Sequence, residues 1–346
     1  MVITASGITG TASWVRVFTA VVTLTLTTPF IHALRKAAPD AHITMLVDEK
    51  LKDVVLFNPY LDEVVTIDKK GRDNSILSLW ACSRHLSKLD FDVLINLHPN
   101  ERCSFIDAMT SVKLRTGTTH KIFKWFWDVF TPLDRSMHAA DMYLDVLQQL
   151  GVQDLSNNGL EIFPGEEHFL EAELFWQEQN ITDQDKLIGF NIGSAVPTKR
   201  WPPERFAEVA DIFAAKGYKT VFFGGPMDEE MVAEATGYMQ TRPIIATGHF
   251  AIGGLAAAMR RCCLIITNDS GPMHVAISQK VPIVAMYGPS NPKLYGPYTK
   301  DAVIVTAQPP CQGCADGMKH SCDDLQCMSR MTVEQVVAAA EKMLEK

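Results

Sequence analysis

The sequence predicts an α/β protein of two domains, each a parallel sheet flanked by helices. Three observations lead there. The chain has 346 residues, and single cores rarely grow past about 250–300 residues. Short apolar β runs alternate with amphipathic stretches of about ten to fifteen residues, the pattern of βαβ units. In the second half, strand after strand ends in glycine and small polar residues, and the carboxyl ends of strands are where open α/β sheets bind ligands.

From about Thr27 the alternation is regular. Pro29 to Ala38 reads as a helix with proline in its first turn. Pro39-Asp40 reads as a turn and Ala41 to Val47 as a strand. Val54 to Asn58 is closed by Pro59, and Glu63 to Ile67 is the next strand. Ser75 to Leu89 reads as a helix, Phe91 to Leu97 as a buried strand, and a further helix starts near Glu101. After Leu160 a second pattern begins. Helices are expected over Glu167 to Gln179, Pro203 to Lys216, Ile252 to Arg260 and Met273 to Gln279. Strands are expected over Lys186 to Asn191, Thr220 to Phe223, Cys263 to Thr267 and Pro282 to Tyr287, and Thr332 to Glu345 is an amphipathic terminal helix. The halves join near residues 160–185.

Composition is that of a soluble globular protein, 47% hydrophobic and 21% charged. The net charge of −8 argues against a nucleic-acid partner, whose binding rests on clustered Lys and Arg. The apolar run Val17 to Ile31 is rich in threonine, too short to span a bilayer and without a cleavage site after it. A reducing cytoplasm is the simplest setting. Cys82, Cys103, Cys262 and Cys263 read as small core residues.

Three loops carry chemistry. Asn191 to Pro202 (NIGSAVPTKRWP) offers backbone N–H groups from a Gly/Ser turn, with Lys199 and Arg200 adding positive charge. That combination suits a diphosphate. Alone, it is better read as a surface loop with two solvated bases. Asn268 to Ala276 (NDSGPMHVA) is a strand end, a turn and a helix start. Asp269 or Ser270 can simply cap that helix. Alternatively the helix start faces a phosphate, with Ser270 and Gly271 N–H groups as donors and His274 one turn in. Phe223 to Glu230 (FGGPMDEE) pairs a close-approach glycine turn with Asp228 and Glu229, which can accept from ribose hydroxyls or merely bias a helix start.

Taken in order, strand–GS–KRWP–helix, strand–GGP–acid, and NDSGPMHVAISQKVPIVAMYGPSNP resemble the family 9 glycosyltransferases, the ADP-heptose:lipopolysaccharide heptosyltransferases. TTPFIHALRKAAPDAHITMLV and RSMHAADMYLDVLQQLGV are similar to that family as well, so the likeness runs from about Thr27 onward. The resemblance implies a GT-B fold: two Rossmann-like domains facing across a cleft, with the C-terminal helix crossing back to the N-terminal domain. The implied boundaries are 1–165 for the acceptor domain, 180–328 for the nucleotide-sugar domain and 329–346 for the terminal helix. Ser194 and Lys199 would hold the donor phosphates, Glu229 and less closely Asp228 the ribose, and Asp269, Ser270, Gly271 and His274 the diphosphate and sugar. The implied reaction is inverting and metal-independent transfer of heptose from ADP-heptose to the lipopolysaccharide inner core, on a lipid-linked Kdo or heptose acceptor. It implies a cytoplasmic protein with peripheral contact at the inner face of the inner membrane.

The opening of the chain departs from the family. Where the family carries Gly-Asp ahead of TTP, with the Asp as proposed base, this sequence has Val22 and Thr23. Threonine is no base near neutral pH. The stretch MVITASGITGTASWVRVFTA also does not resemble the family's opening strand. One explanation is a catalytically impaired homologue that binds nucleotide sugar. The other is that residues 1 to about 23 are a wrong-frame translation joined to the gene.

Two further clusters stand out. Lys113, Arg115, His120, Lys121 and Lys124 lie beside Trp125, Phe126 and Trp127. Basic and aromatic residues together suit an anionic lipid-linked glycan at a membrane surface; the plainer alternative is a helix with aromatics in the core. Lys113, Arg115, Lys121 and Lys124 are the candidate acceptor residues. Cys311, Cys314, Cys322 and Cys327 are spaced Cys-x2-Cys-x7-Cys-x4-Cys. Four thiolates can close a structural zinc site or hold an iron–sulfur cluster; otherwise they are reduced thiols.

Overall fold

The structure is a computed structural model that describes residues 14–18, 24–68, 70–98, 100–118, 121–132, 134, 136–307 and 325–345, with residues 14–18 described by their backbone. The chain forms two compact units, Met1–Phe163 and Pro164–Lys346.

The first unit runs β1 (Trp14–Phe18), α1 (Thr28–Ala37), β2 (His42–Asp48), β3 (Glu63–Ile67), α2 (Ile76–Ser87), β4 (Val93–Asn96), α3 (Glu101–Met109), β5 (Leu114–Gly117), β6 (Val129–Phe130) and α4 (Ala139–Gln149). Its sheet is ordered β3-β2-β1-β4-β5-β6, with every pairing parallel. The segment judged unlike an opening strand therefore contains the central one: Val15 pairs with both Ile43 and Val93. The threonine-rich run that follows is spent on local structure. The Thr27 hydroxyl donates to the Leu24 carbonyl at 2.7 Å, and that of Thr28 donates to Thr25 at 2.8 Å. Those bonds return buried hydroxyls to the backbone, and α1 then buries Phe30, Ile31, Ala33 and Leu34. Ser75 and Asn100 cap α2 and α3, accepting from the N–H groups of Ser78 and Cys103.

The second unit runs α5 (Glu166–Glu178), β7 (Leu187–Asn191), α6 (Pro203–Ala215), β8 (Lys219–Phe223), α7 (Glu229–Tyr238), β9 (Ile244–Ile245), α8 (Ile252–Met259), β10 (Cys262–Asn268), α9 (Gly271–Ser278), β11 (Ile283–Met286), α10 (Pro292–Tyr295), β12 (Ala302–Val305), α11 (Gln326–Ser329) and α12 (Val333–Leu344). Its sheet is ordered β12-β11-β10-β7-β8-β9, again parallel throughout. Both sheets thus have the doubly wound order, with the strand sequence reversing between the unit's first and fourth strands. The core is dense at the centre. Phe190 stacks on Phe222 at 5.2 Å, and a Cβ on Gly189 would sit 2.3 Å from Ile265 Cδ1.

The terminal helix α12 turns Val333, Val336, Ala340 and Met343 into the second unit's own core. Its single apolar stripe is consumed there, and an ion pair between Lys216 and Glu341 holds it beside α6. No helix of the described residues is long and apolar enough to cross a membrane.

Candidate functional site

The strand order of the second sheet reverses between β7 and β10, and both strands end in a buried asparagine. Asn268, at the end of β10, donates to the Ile192 carbonyl at 2.7 Å and accepts from the Trp201 backbone N–H at 3.0 Å. It therefore staples the loop after β7 across the switch point. Trp201 is fully buried, packs edge-on against Phe206 at 5.0 Å, and donates its indole N–H to the Met331 carbonyl at 3.1 Å. With Trp201 fixed, the preceding short turn Pro197–Lys199 has a set direction. Lys199 Nζ meets Asp269 Oδ2 at 2.8 Å, with the two side chains 13% and 7% exposed. The basic loop and the NDSGP turn, 70 positions apart, are joined by this pair.

Asn191 does the other half. Its amide donates to Ser270 Oγ at 2.8 Å and to Thr267 Oγ1 at 3.1 Å. Ser270 is the residue before α9, a position where serine usually caps, yet its side chain makes no capping bond. The start of α9 is thus left open, and a Cβ built on Gly271 meets nothing within 4 Å. An uncapped helix start beside open space is an anion-binding arrangement. His274 lies one turn in and is buried. Tyr287, after β11, places its hydroxyl beside Asp269 and donates to the Tyr295 carbonyl at 2.8 Å. Burial first, then the Asp269 carboxylate, pushes its phenol well above the ordinary tyrosine range.

The remaining donor candidates sit around this centre. Ser194 is buried and closes its own turn, accepting from the Val196 N–H at 3.3 Å, while its carbonyl accepts from Arg200 Nε at 2.8 Å. Asp228 accepts from the Gly225 N–H at 2.9 Å, and its carboxylate touches the Gly193 backbone so closely that a Cβ there would lie 2.1 Å from Oδ1. It links the first and third loops but is occupied in doing so. Glu229 opens α7 and is exposed, with Oε1 over Gly248. Lys199, Asp269 and Ser270 are thus brought together, Ser194 and Asp228 flank the same loops, and Glu229 is a step further out. Asn191, Asn268 and Tyr287 were missed by sequence reasoning. A readable signal existed for the first two, since LIGFN and LIITN are apolar strands each ending in asparagine.

The acceptor candidates divide. Lys113, at the start of β5, pairs with Asp92 at 2.5 Å. Arg115 donates from Nε to the Asp107 carbonyl at 3.0 Å and from its guanidinium to that of Thr110, covering the end of α3. Both already have partners on the first unit's scaffold. Lys121 and Lys124 lie in an exposed turn, Lys121–Phe126, after the carboxyl end of β5, with Lys124 Nζ 4.7 Å from the Phe130 ring centre. Trp127 is core, its indole donating to the Thr116 carbonyl at 3.2 Å. Thr23, His120, Cys311, Cys314 and Cys322 lie outside the described residues. Cys327 is buried against Gly288, and among the described residues no three His, Cys, Asp or Glu side chains cluster as metal ligands.

Comparison with known proteins gives this geometry a context. The model of the family "Glycosyltransferase family 9 (heptosyltransferase)" matches residues 79–322. The lipopolysaccharide heptosyltransferase 3 of Escherichia coli (strain K12) is 24% identical over 337 residues, covering 92% of this chain and 94% of that protein. A crystal structure described as the glycosyl transferase family 9 from Veillonella parvula is 50% identical, with a TM-score of 0.89 over 96% of this chain and 97% of that one. The structure of Escherichia coli ADP-heptose lps heptosyltransferase II has a TM-score of 0.79 at 21% identity, covering 96% and 98% of the two chains, a likeness of fold.

Proposed function

We propose, from the premise that this chain belongs to glycosyltransferase family 9, the heptosyltransferases, that it transfers a heptose from ADP-heptose to the lipopolysaccharide inner core. The observation that carries this reading is the Lys199–Asp269 pair beside the uncapped start of α9. Lysine, open backbone N–H groups and a helix pole are what a nucleoside diphosphate needs. Ser194 and Lys199 take the phosphates. Glu229 takes the ribose, with Asp228 as a second and more occupied acceptor. Asp269, Ser270, Gly271 and His274 line the diphosphate and sugar.

The chemistry is inverting and needs no metal. An acceptor hydroxyl forms the new C–O bond at the anomeric carbon, and the bond from that carbon to the diphosphate breaks with its electron pair leaving on ADP. The charge that builds on ADP is met by Lys199 and the α9 terminus. The hydroxyl proton passes to a base not assigned to any residue, since the family's position for it holds Thr23. Lys121 and Lys124 face the anionic, lipid-linked acceptor, and the site of action is the cytoplasmic face of the inner membrane.

Thermal-shift titration with ADP, UDP and GDP tests the donor half. ADP should stabilise the protein most; equal shifts for all three would remove the adenine-specific reading. ADP release in the presence of ADP-heptose and a Kdo-bearing acceptor tests the rest, and EDTA should leave the rate unchanged. The replacement at Thr23 favours a second reading, a nucleotide-sugar binder with impaired transfer. Under it, ADP binds but release is slow, and Val22→Gly/Thr23→Asp raises the rate. An unchanged rate in that variant overturns the impaired reading.

A further inference from the structure

The carboxyl edge of the first unit's sheet carries two apolar tips that the fold does not use. α2 begins beyond the carboxyl end of β3, and the turn Lys121–Phe126 follows the carboxyl end of β5, so both lie on one edge. α2 buries Leu79, Ser83 and Leu86. It leaves Ile76, Leu77 and Trp80 outside, with Leu77 78% exposed. A helix needs one apolar stripe to pack, and this one has two. In the turn, Phe123 is the inward anchor, set edge-on to Phe105 of α3 at 6.4 Å. Ile122, Trp125 and Phe126 are left outside, with Trp125 93% exposed.

The tips are neighbours. Arg102 of α3 donates to Asn74 Oδ1 at 2.7 Å, just ahead of α2, and Phe105, one turn along α3, holds the turn. Their charge is of one sign. Neither Ile76–Ser87 nor Lys121–Phe126 contains an acidic residue, and they supply Arg84, Lys121 and Lys124. Arg84 lies 5.8 Å from the Trp80 ring centre. Flanking carboxylates are tied to backbone N–H groups: Asp68 to Gly71, Asp73 to Asp68, and Asp128 to Arg115. Glu101, in the first turn of α3, and Asp128, just after the second tip, are exposed acids beside the tips. The tips themselves, with Arg84, Lys121 and Lys124 and no acid, are opposite in sign to the chain's net −8.

We propose that these two tips dock the first unit on an anionic phospholipid bilayer, with the aromatic and aliphatic side chains entering the interface and Arg84, Lys121 and Lys124 at the headgroups. Exposed tryptophan beside lysine is the composition of an interfacial anchor, and basic residues add attraction to anionic lipid. Each tip alone is a weak anchor; two on one edge act together. The surface rests on the acceptor reading above, since a lipid-linked acceptor lies in such a bilayer.

The test uses the full chain and acceptor-free vesicles of phosphatidylethanolamine with phosphatidylglycerol, against phosphatidylcholine alone. The wild type should sediment with the anionic vesicles and be released by salt. Ile76→Ser/Leu77→Ser should weaken sedimentation by about tenfold. Ile122→Ser/Trp125→Ser should do the same from the other tip. Because Ile76 and Leu77 are exposed and touch no proposed substrate, the first variant should keep its melting temperature and its ADP-induced shift. It should also keep its transfer to a delipidated soluble acceptor, while transfer to a vesicle-held acceptor falls. Three results would overturn the docking surface: wild type that stays in the supernatant, double variants that sediment like wild type, or wild type that elutes as an oligomer which both variants dissolve. Failure of ADP binding in wild type would instead strike at the donor reading, and the vesicle result would still stand.

Discussion

Replacing Lys199 by methionine, in a double-mutant cycle with Asp269→Leu, isolates the contact on which the candidate donor site is built. The Nζ–Oδ2 distance is 2.8 Å, and the side chains are only 13% and 7% exposed. Removing one partner of a buried pair costs about 3–5 kcal/mol, because the other charge is stranded. The small exposure of Lys199 and the Tyr287 hydroxyl beside Asp269 soften this to about 2–3 kcal/mol. At about 2–4 °C per kcal/mol for a unit of this size, Lys199→Met should melt about 4–12 °C lower. The double variant, with no stranded charge, should recover most of that loss, giving a coupling of about 2 kcal/mol. Under the proposed donor reading, the same ammonium meets the donor phosphates. Charge-assisted bonds contribute about 1.5–3 kcal/mol, so ADP should bind Lys199→Met about 10–150-fold more weakly. Calorimetric melts of the four proteins give the first number and isothermal titration with ADP the second. A single variant that melts within about 1 °C of wild type, additive effects in the double, and unchanged ADP affinity would together refute the reasoning.

Other perturbations test neighbouring parts. Gly193→Ala places a methyl 2.1 Å from Asp228 Oδ1, so the carboxylate must swing away and release the Gly225 N–H; denaturant titration should show a loss of about 1–3 kcal/mol, and unchanged stability would mean the third loop is not braced this way. Asn268→Ala strands the Trp201 N–H and the Ile192 carbonyl, a loss of about 2–5 kcal/mol that should come with weaker ADP binding, because the loop bearing Lys199 is freed. In the first unit, the Asp62 carboxyl is held below its usual 3.8: burial pushes it up, but the Ile43 N–H and the Arg35 guanidinium outweigh that. A depressed carboxylate contributes stability above its unfolded value that is lost as pH falls through the folded one. The stability difference between wild type and Asp62→Asn should therefore be present at neutral pH and shrink as the pH falls below 3.8; a difference that grows on acidification would reverse the assignment.

The second unit was legible because its strand-end loops are written in local chemistry. Glycine pairs, the KRWP run and NDSGP sit at strand ends, where turns and backbone approach demand those residue types. The helices and longer strands fell within a residue or two of expectation, since periodicity carries them. What escaped was short or long-range. β6 and β9 have two residues each, too few to show a period. The central strand β1 was passed over because WVRVF ends in a threonine-rich run that disguises it. Nothing local in the sequence shows that Lys113 pairs with Asp92 or that Arg115 bonds the Asp107 carbonyl of α3. No local pattern reports that Trp201 bonds Asn268 across 67 positions and Met331 across 130.

The two sheets share one strand order, and that makes their difference informative. The fourth strand of each unit ends in a buried asparagine, Asn96 in β4 and Asn268 in β10. Asn96 turns its amide to Asp107 of α3 at 2.6 Å and accepts from the His98 N–H at 2.6 Å, so it braces its own connection. Asn268 reaches instead across the switch point to the loop after the first strand. Asn191, its counterpart at the end of β7, takes the Ser270 hydroxyl that would otherwise cap α9. The fourth-strand position thus braces its own connection in the first unit and reaches across the switch point in the second, where Asn191 occupies the serine ahead of α9. Under the proposed donor reading, ADP binding depends less on the number of basic residues than on which way two strand-terminal amides point. Asn191→Ala should let Ser270 close the helix start and weaken ADP binding while Lys199 and Asp269 stay paired.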